Sequence, residues 1–353
     1  MRTTATDVLD AHAALLPFQL VIKKLLYRET VRMATLPRTH PMHKVFLRAA
    51  NCYVRKHRSP LHELGHAFDI HPDQFETIPS FRHTACWRPA LKMIVDESKE
   101  DAEENIANAD AEFQVFTDGS GVDGGIGAAA VLYRNGEEID VATFHLGSSD
   151  GHTVPEAKMV GLIMGIAMLQ TQARGSVKGA LIAVDNQGIL LGTRTRNRTP
   201  GCYLQDAIHD EYKRAQNQHS ELELEVRWVP AYVGIVGNER IDSEAKYAAK
   251  GESSCPKQYL PGKLKSLPRS ATAAKECFRK LLHKEASEMF AKSPCYHRMH
   301  SIDPLMPSVA MVQDQRTGRA CGLCNTLDLL GPKPGAAMWS QLCAKGCLTM
   351  HVA

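Results

Sequence analysis

The sequence predicts an α/β protein, in which a mixed five-stranded sheet carries helices on its faces and is preceded by a small helical region. Three observations support this fold class. Apolar residues recur at helical spacing before residue 95, and short β-rich runs begin near residue 113. From residue 180 onward, strand-like runs alternate with amphipathic helical stretches, as expected for helices packed on a sheet.

The elements follow one another in a clear order. Helical stretches cover 6–35 and 42–58, a short helix opens at Ser59-Pro60, and residues 72–89 lack periodicity. The first β-rich run stops at Asp118-Gly119-Ser120, which predicts a turn there, and Asn135-Gly136 predicts a hairpin between the next two. Strands are predicted at 113–117, 127–133, 139–145, 180–184 and 222–228, and helices at 155–170, 203–217 and 237–250.

Composition shifts along the chain suggest four segments. They are a helical region at 1–95, an acidic linker at 96–110, an α/β domain at 111–252, and a helical and irregular tail at 253–353. A length of 353 residues is compatible with about two domains.

Charge and cysteine content restrict the class of protein. The net charge of +3 neither requires nor excludes a polyanionic partner. No secretory signal and no apolar run long enough to span a membrane occur in the sequence. Ten cysteines without such a signal indicate a reduced, intracellular protein.

Four carboxylates form the candidate catalytic site. Asp118 and Asp185 follow predicted strands, Glu156 lies in the first turn of the helix between them, and Asp242 lies early in the last helix. Ligand sites of open sheets form outside strand ends, so these acids are expected to converge. Clustered carboxylates repel one another unless a cation neutralises them, and Mg²⁺ prefers such oxygen ligands. Taken singly, each acid has an ordinary alternative as a turn, cap or solvated residue.

Residues 113–251 resemble type 1 ribonuclease H domains, especially those of non-LTR retrotransposon reverse transcriptases. The motifs that carry the resemblance are FTDGS (116–120), PEAK (155–158), AVDNQ (183–187) and WVPAYVGIVGNERID (228–242). The resemblance implies hydrolysis of the RNA strand of RNA–DNA hybrids by two Mg²⁺ ions, with Mn²⁺ as a substitute and without a small-molecule cofactor or a membrane partner. It also implies that Asp118 bridges both ions, that Glu156 and Asp185 hold the ion on the leaving-group side, and that Asp242 holds the other.

The same resemblance implies a set of substrate contacts. The backbone of Gly119 and Ser120 would approach the ribose 2′-OH, by which RNA differs from DNA. Asn186 and Gln187 would approach the minor groove, unless they serve only a local turn. A basic run is a candidate phosphate clamp or a solvated loop, and its members are Arg194, Arg196 and Arg198.

Tyr232 stands where the family usually has a histidine. Tyrosine has an ordinary pKa near 10, so it is a poor proton carrier at neutral pH. We therefore expect slower turnover. This departure supports a second hypothesis, that the chain is a catalytically weak, nucleic-acid-binding relic of a retroelement. A DNA strand-transfer enzyme of the same fold is a further alternative, which the segment 237–242 disfavours.

The flanks carry two metal-binding patterns. His62, Glu63 and His66 fit the zinc-protease spacing, which leaves a metalloprotease as a remote alternative. The tail contains two cysteine pairs whose spacing departs from a zinc site, so we expect no zinc there; the pairs are Cys321 with Cys324 and Cys343 with Cys347. Residues 1–89 are similar to the segment that joins reverse transcriptase to ribonuclease H in fungal elements. The chain has no Tyr-x-Asp-Asp polymerase signature, and we expect it to be a C-terminal remnant.

Overall fold

A computed structural model of the chain describes residues 5–52, 56, 59–109, 111–172, 179–230, 236–251 and 259–304. The chain divides into two compact units. The larger unit, Ile22–Lys280, contains the sheet and draws residues from all four predicted segments. The smaller unit comes from residues 1–21 and 281–353, of which 5–21 and 281–304 are described.

One sheet of six strands organises the larger unit. Its strands are β1 (Lys92–Ile94), β2 (Phe113–Val122), β3 (Gly125–Arg134), β4 (Glu137–Ser148), β5 (Gly179–Val184) and β6 (Glu223–Trp228). They lie in the order β1-β6-β5-β2-β3-β4, with β2, β3 and β4 antiparallel and with β2, β5, β6 and β1 parallel. The predicted mixed sheet is therefore confirmed.

The sheet differs from the prediction in two respects. It has six strands rather than five, because β1 adds to the edge of β6. The sequence did not predict β1, since its three residues are too few to show the alternation of a strand. The predicted turn at Asp118 was wrong, since β2 continues to Val122 and turns at Asp123-Gly124, where φ is +50° and +81°. The predicted hairpin at Asn135-Gly136 is confirmed, with φ of +52° and +84° in the sense that such hairpins require.

The helices in chain order are α1 (Thr6–His12), α2 (Phe18–Ala34), α3 (Pro41–Asn51), α4 (Pro60–Ala67), α5 (Lys99–Ala107), α6 (Val154–Gln172), α7 (Gln187–Thr193), α8 (Cys202–Gln218), α9 (Val236–Ala249), α10 (Ala271–Ala291) and α11 (Tyr296–Ile302). Short 3₁₀ turns occur at Pro72–Gln74 and Gly262–Leu264. The acidic stretch at 96–110, for which the sequence left a linker or an exposed helix open, contains helix α5. Among the described helices, none is both long enough and apolar enough to cross a bilayer.

The two faces of the sheet carry different helices. Along β3, Ala128, Ala130 and Leu132 pack with α6, whereas Ala129 and Val131 pack with α9. This is the alternation expected of a strand buried on both sides. The core on the α6 side also contains residues outside the predicted domain of 111–252, namely Leu91, Met93, Ala102, Tyr259, Leu260 and Leu264.

The buried carboxylate of Glu76 connects the segment before the sheet to two helix N-termini. Glu76 is 0% exposed. One oxygen accepts a hydrogen bond from the N–H of Gly201, at the start of α8, and the other accepts from the N–H of Ala271, at the start of α10; the distances are 2.5 Å and 2.8 Å. Burial raises the pKa of Glu76, and these amides together with Lys275 offset only part of that effect.

Candidate active site

Asp118 and Asp185 lie side by side at the point where two parallel strands separate. The last paired residues of β2 and β5 are Thr117 and Val184, and each aspartate follows directly. The side chains of Asp118 and Asp185 are 11% and 19% exposed. The structure therefore brings these two predicted site residues together.

The third side chain at this point is a lysine. Nζ of Lys158, on α6, lies 2.6 Å from Oδ1 of Asp118 and 2.6 Å from each carboxylate oxygen of Asp185. By strand alternation, Asp118 shares the face of Phe116, opposite α6. The Lys158 side chain reaches Asp118 just past the last residue pair of β2 and β5, where no strand lies between α6 and the Asp118 carboxylate.

Gly119 permits this close approach of α6 to β2. A Cβ atom at position 119 would overlap the backbone nitrogen of Lys158 and crowd Ala157. Gly119 is buried in β2 and paired with Ala128, and Ser120 is half-buried in the same strand. Their proposed contact with the ribose 2′-OH remains a prediction, but the structure gives Gly119 a packing role as well.

The lysine offsets one of the two negative charges of this trio. Burial alone would lower the pKa of Lys158, but the carboxylates of Asp118 and Asp185 outweigh burial and raise it above the ordinary value. Lys158 is therefore an ammonium at any physiological pH. Burial raises the pKa of Asp118, and the attraction of Lys158 offsets only part of that rise. A buried carboxylate pair is thus held by a resident cation.

Glu156 is not part of this cluster. Its Oε2 accepts hydrogen bonds from N and Oγ1 of Thr153, at 2.7 Å and 2.9 Å, which is the capping-box arrangement at the start of α6. Glu156 and Lys158 are two residues apart, and residues at that spacing do not face each other on a helix. Position 158, rather than position 156, therefore faces Asp118 and Asp185.

Asp242 lies on α9, the helix that covers the face to which Asp118 points. Its Oδ2 is 2.6 Å from Nζ of Lys246, one helical turn further on, and its side chain is 39% exposed. Within the described part of the chain, no group of three or more His, Cys, Asp or Glu residues is arranged to hold a metal ion. The structure does not bring Asp242 into the cluster.

These residues do not fit the two Mg²⁺ ions that the resemblance implies. Two of the four acids, Asp118 and Asp185, share an ammonium at hydrogen-bonding distance. Glu156 is engaged by a helix cap, and Asp242 is paired with a lysine on its own helix. A metal ion would have to displace Lys158 from two carboxylates, and it would find only these two of the four predicted acids at the cluster.

Asn186 and Gln187 begin helix α7. Oδ1 of Asn186 accepts a hydrogen bond from the N–H of Ile189 at 3.1 Å, so Asn186 is the N-cap. Gln187 is the first helical residue and is exposed. The local role that the sequence left open for Asn186 is present, and contact of either residue with a minor groove remains a prediction.

The predicted basic run is held by a segment that lies before the sheet. Arg196 donates to the carbonyl of Thr84 at 3.1 Å, and Arg198 donates to the carbonyl of Ser80 at 2.6 Å. In return, Arg82 donates to the carbonyls of Thr195 and Asn197, at 3.2 Å and 3.1 Å. We call residues 80–84 and 194–198 together the arginine clasp.

Two candidate features lie outside the described residues, namely Tyr232 and the four cysteines of the tail.

The zinc-protease pattern lies within the described residues, on α4. Nδ1 of His62 is 2.7 Å from Oγ of Ser59 in the cap of that helix, and Nε2 of His66 is 3.4 Å from the carbonyl oxygen of Cys52. No third ligand joins His62 and His66 among the described residues.

Because Glu156 is a buried acid in a helix cap, we expect the stability of the folded protein to depend on pH. The pKa of Glu156 is raised to about 7, mainly by burial. The hydrogen bonds from Thr153 lower this pKa, and the negative charge of Glu76 raises it. The folded state therefore holds this proton more tightly than the unfolded state, so its contribution is complete below about pH 4.5 and is lost as pH rises through about 7. Between pH 5 and pH 8, we expect the free energy of unfolding to fall by about 2–3 kcal/mol more in the wild type than in Glu156→Gln.

Urea unfolding at the two pH values measures this difference, and any constant cost of the amide cancels from it. Glu104→Gln, at an exposed position of α5, is the matched control and should follow the wild type. The same pH dependence in Glu156→Gln and the wild type would contradict the assignment.

Comparisons with known proteins concern the fold. No protein-family model matches the chain, and no curated protein matches its sequence. The N-terminal RNase H domain of rv2228c from Mycobacterium tuberculosis is 17% identical, with a TM-score of 0.31 over 39% of this chain and 98% of that one. RNase H1 from Halobacterium salinarum is 17% identical, with a TM-score of 0.29 over 40% of this chain and 98% of that one.

LC11-RNase H1, whose structure was solved in complex with an RNA/DNA hybrid, is 15% identical, with a TM-score of 0.32 over 39% of this chain and 97% of that one. These likenesses are with RNase H domains and cover about two fifths of the chain. At such identities and TM-scores they assign neither a family nor an activity to this chain.

Proposed function

We propose that the sheet-containing unit binds RNA–DNA hybrids at the edge formed by Asp118, Lys158 and Asp185, and that it hydrolyses them weakly or not at all. The RNA–DNA hybrid is the substrate class implied by the motifs around Asp118, Asp185 and Asp242. The weak hydrolysis rests on one observation, the ammonium of Lys158 at 2.6 Å from both aspartates.

The acid pair of Asp118 and Asp185 has an ammonium where a two-metal nuclease has metal ions. In a two-metal nuclease, the metal ions both cancel the carboxylate charge and activate water. The single ammonium of Lys158 offsets one of the two carboxylate charges, and it cannot activate water because it has no open coordination position for water or for a phosphate oxygen. Lys158 therefore makes the edge tolerable to a phosphodiester backbone without supplying the means to cut it. This favours the catalytically weak, nucleic-acid-binding hypothesis over an active nuclease.

Hybrid binding should consequently not depend on divalent metal. We expect the wild type to bind a labelled hybrid with similar affinity in EDTA and in Mg²⁺. Lys158→Ala should bind about tenfold more weakly in EDTA, because it leaves two carboxylates facing the phosphates, and Mg²⁺ should restore part of the loss. Fluorescence anisotropy measures both effects, and Lys263→Ala, outside the site, is a control for loss of a positive charge. Wild-type binding that requires Mg²⁺, or no hybrid binding by folded protein, would contradict the proposal.

A further inference from the structure

We infer that the arginine clasp is a binding surface for a single-stranded stretch of nucleic acid adjacent to the hybrid. The inference extends the proposed function, since the strand that occupies the clasp would continue from a duplex at the Asp118–Asp185 edge. It involves residues 80–84, whose contacts with residues 194–198 no local sequence pattern predicts.

The clasp is a fixed structure rather than a loose loop. The Arg82 side chain is 1% exposed, and its Nε donates to Oδ1 of Asp206 on α8 at 2.8 Å. The four bonds from Arg82, Arg196 and Arg198 to carbonyl groups cross between the two segments in both directions. A guanidinium has five N–H donors, so the exposed Arg196 and Arg198 each retain donors for a ligand.

The clasp also lies near the candidate active site. Gly201 follows the basic run, and a Cβ placed on it would lie 4.0 Å from Cγ of Glu156, in the first turn of α6. Lys158 is in the next turn of the same helix. Because Lys158 and Glu156 point to different sides of α6, a strand leaving the Asp118–Asp185 edge would pass around the first turn of that helix to reach residues 194–201.

The two segments of the clasp carry basic side chains and no acid of their own, and the carboxylate of Asp206 beside them is paired with Arg82. Residues 77–91 and 192–201 contain no Asp or Glu, and their arginines are Arg82, Arg88, Arg194, Arg196 and Arg198. Four of these are exposed, and none of the four forms an ion pair with a described residue. Such a surface complements a phosphate backbone.

An exposed aromatic side chain specifies the kind of nucleic acid. Phe81 is 67% exposed and follows Ser80, whose carbonyl accepts the bond from Arg198. A ring on an arginine-lined surface is the combination by which proteins bind single strands, because unpaired bases stack on it while arginines contact phosphates. The bases of a duplex are already stacked and paired inside the helix, so they are not free to stack on the Phe81 ring.

Anisotropy titrations with a blunt RNA–DNA hybrid, the same hybrid with an unpaired overhang, and the overhang strand alone test the inference. We expect the overhang to tighten binding by about 5- to 100-fold and Phe81→Ala to abolish that gain. Arg198→Ala should lower the salt slope of overhang binding by about 0.7, the value for one single-strand phosphate contact. Phe18→Ala and Arg32→Ala remove an exposed ring and an exposed arginine elsewhere and should change neither quantity.

The outcomes separate this inference from the proposed function. Tight binding of the blunt hybrid with no gain from the overhang, or equal effects of Phe81→Ala and Phe18→Ala, would overturn the inference and leave the proposed function standing. Binding of the overhang strand but not the blunt hybrid would support the clasp and overturn hybrid binding at the Asp118–Asp185 edge.

Discussion

Lys158→Glu is expected to convert a protein with little or no nuclease activity into a magnesium-dependent ribonuclease acting on RNA–DNA hybrids. The substitution removes the ammonium that Asp118 and Asp185 share and adds a third carboxylate at the same position on α6. Transition-state stabilisation by metal ions is worth several kcal/mol, so we expect cleavage to rise by about 10²–10³-fold. Initial rates on a labelled hybrid in Mg²⁺ measure the gain.

Two further variants separate the causes of that gain. Lys158→Gln removes the ammonium without adding a ligand, so it should gain much less than Lys158→Glu. Adding Asp118→Asn to Lys158→Glu should abolish the new activity. Because three clustered carboxylates repel one another, Lys158→Glu should also unfold more readily in EDTA than in Mg²⁺. Folded Lys158→Glu that binds hybrid and gains no cleavage would show that Lys158 is not what suppresses hydrolysis.

An isolated fragment of residues 111–252 is expected not to fold as a stable domain, although the sequence suggests it as one. The fragment lacks strand β1 and the core residues Leu91 and Met93, each worth about 1.5–3 kcal/mol when buried. It also lacks Glu76, which leaves the buried N–H of Gly201 unpaired at a cost of about 1–3 kcal/mol. Together with the loss of Tyr259, Leu260 and Leu264, these costs approach the 5–15 kcal/mol typical of a whole domain.

Circular dichroism and thermal unfolding of the fragment and the full chain test this prediction. Glu76→Ala in the full chain provides a milder version, which should lower the free energy of unfolding by about 2–5 kcal/mol because two buried amides lose their acceptor. A cooperative transition of the fragment at the temperature of the full chain would refute the prediction.

The sequence predicted the architecture because its elements have distinct periods. Alternation in β6, the Asn135-Gly136 turn and the helical spacing of α8 each identify an element locally. Asp118 and Asp185 meet because the pairing of β2 with β5 stops just before them, although β2 itself continues. Strand β1 escaped detection because three residues show no pattern. The end of β2 was placed too early, because the polar residues after Phe116 resemble a turn.

The identity of the third site residue could not be read from a pattern. Helix α6 is buried nearly all round, so it has no polar face from which its rotation about its axis could be inferred. The motif PEAK supplied an acid at 156, and only the structure shows that position 158 faces the pair. One signal was present: Lys158 is the single cation in α6, and a cation in a buried helix requires an acidic partner. Arg82 gave no comparable signal, because its partners lie in distant segments of the chain.

Cleavage of a labelled RNA–DNA hybrid by the unaltered chain and by Asp118→Asn, side by side in excess Mg²⁺, tests the central claim most directly. Because Lys158 occupies the space between Asp118 and Asp185 and cannot activate water, we expect both proteins to bind the hybrid and any cleavage by the unaltered chain to stay close to the level of Asp118→Asn. Hybrid-specific cleavage by the unaltered chain that Asp118→Asn loses would mean that metal ions displace Lys158, and it would contradict the account.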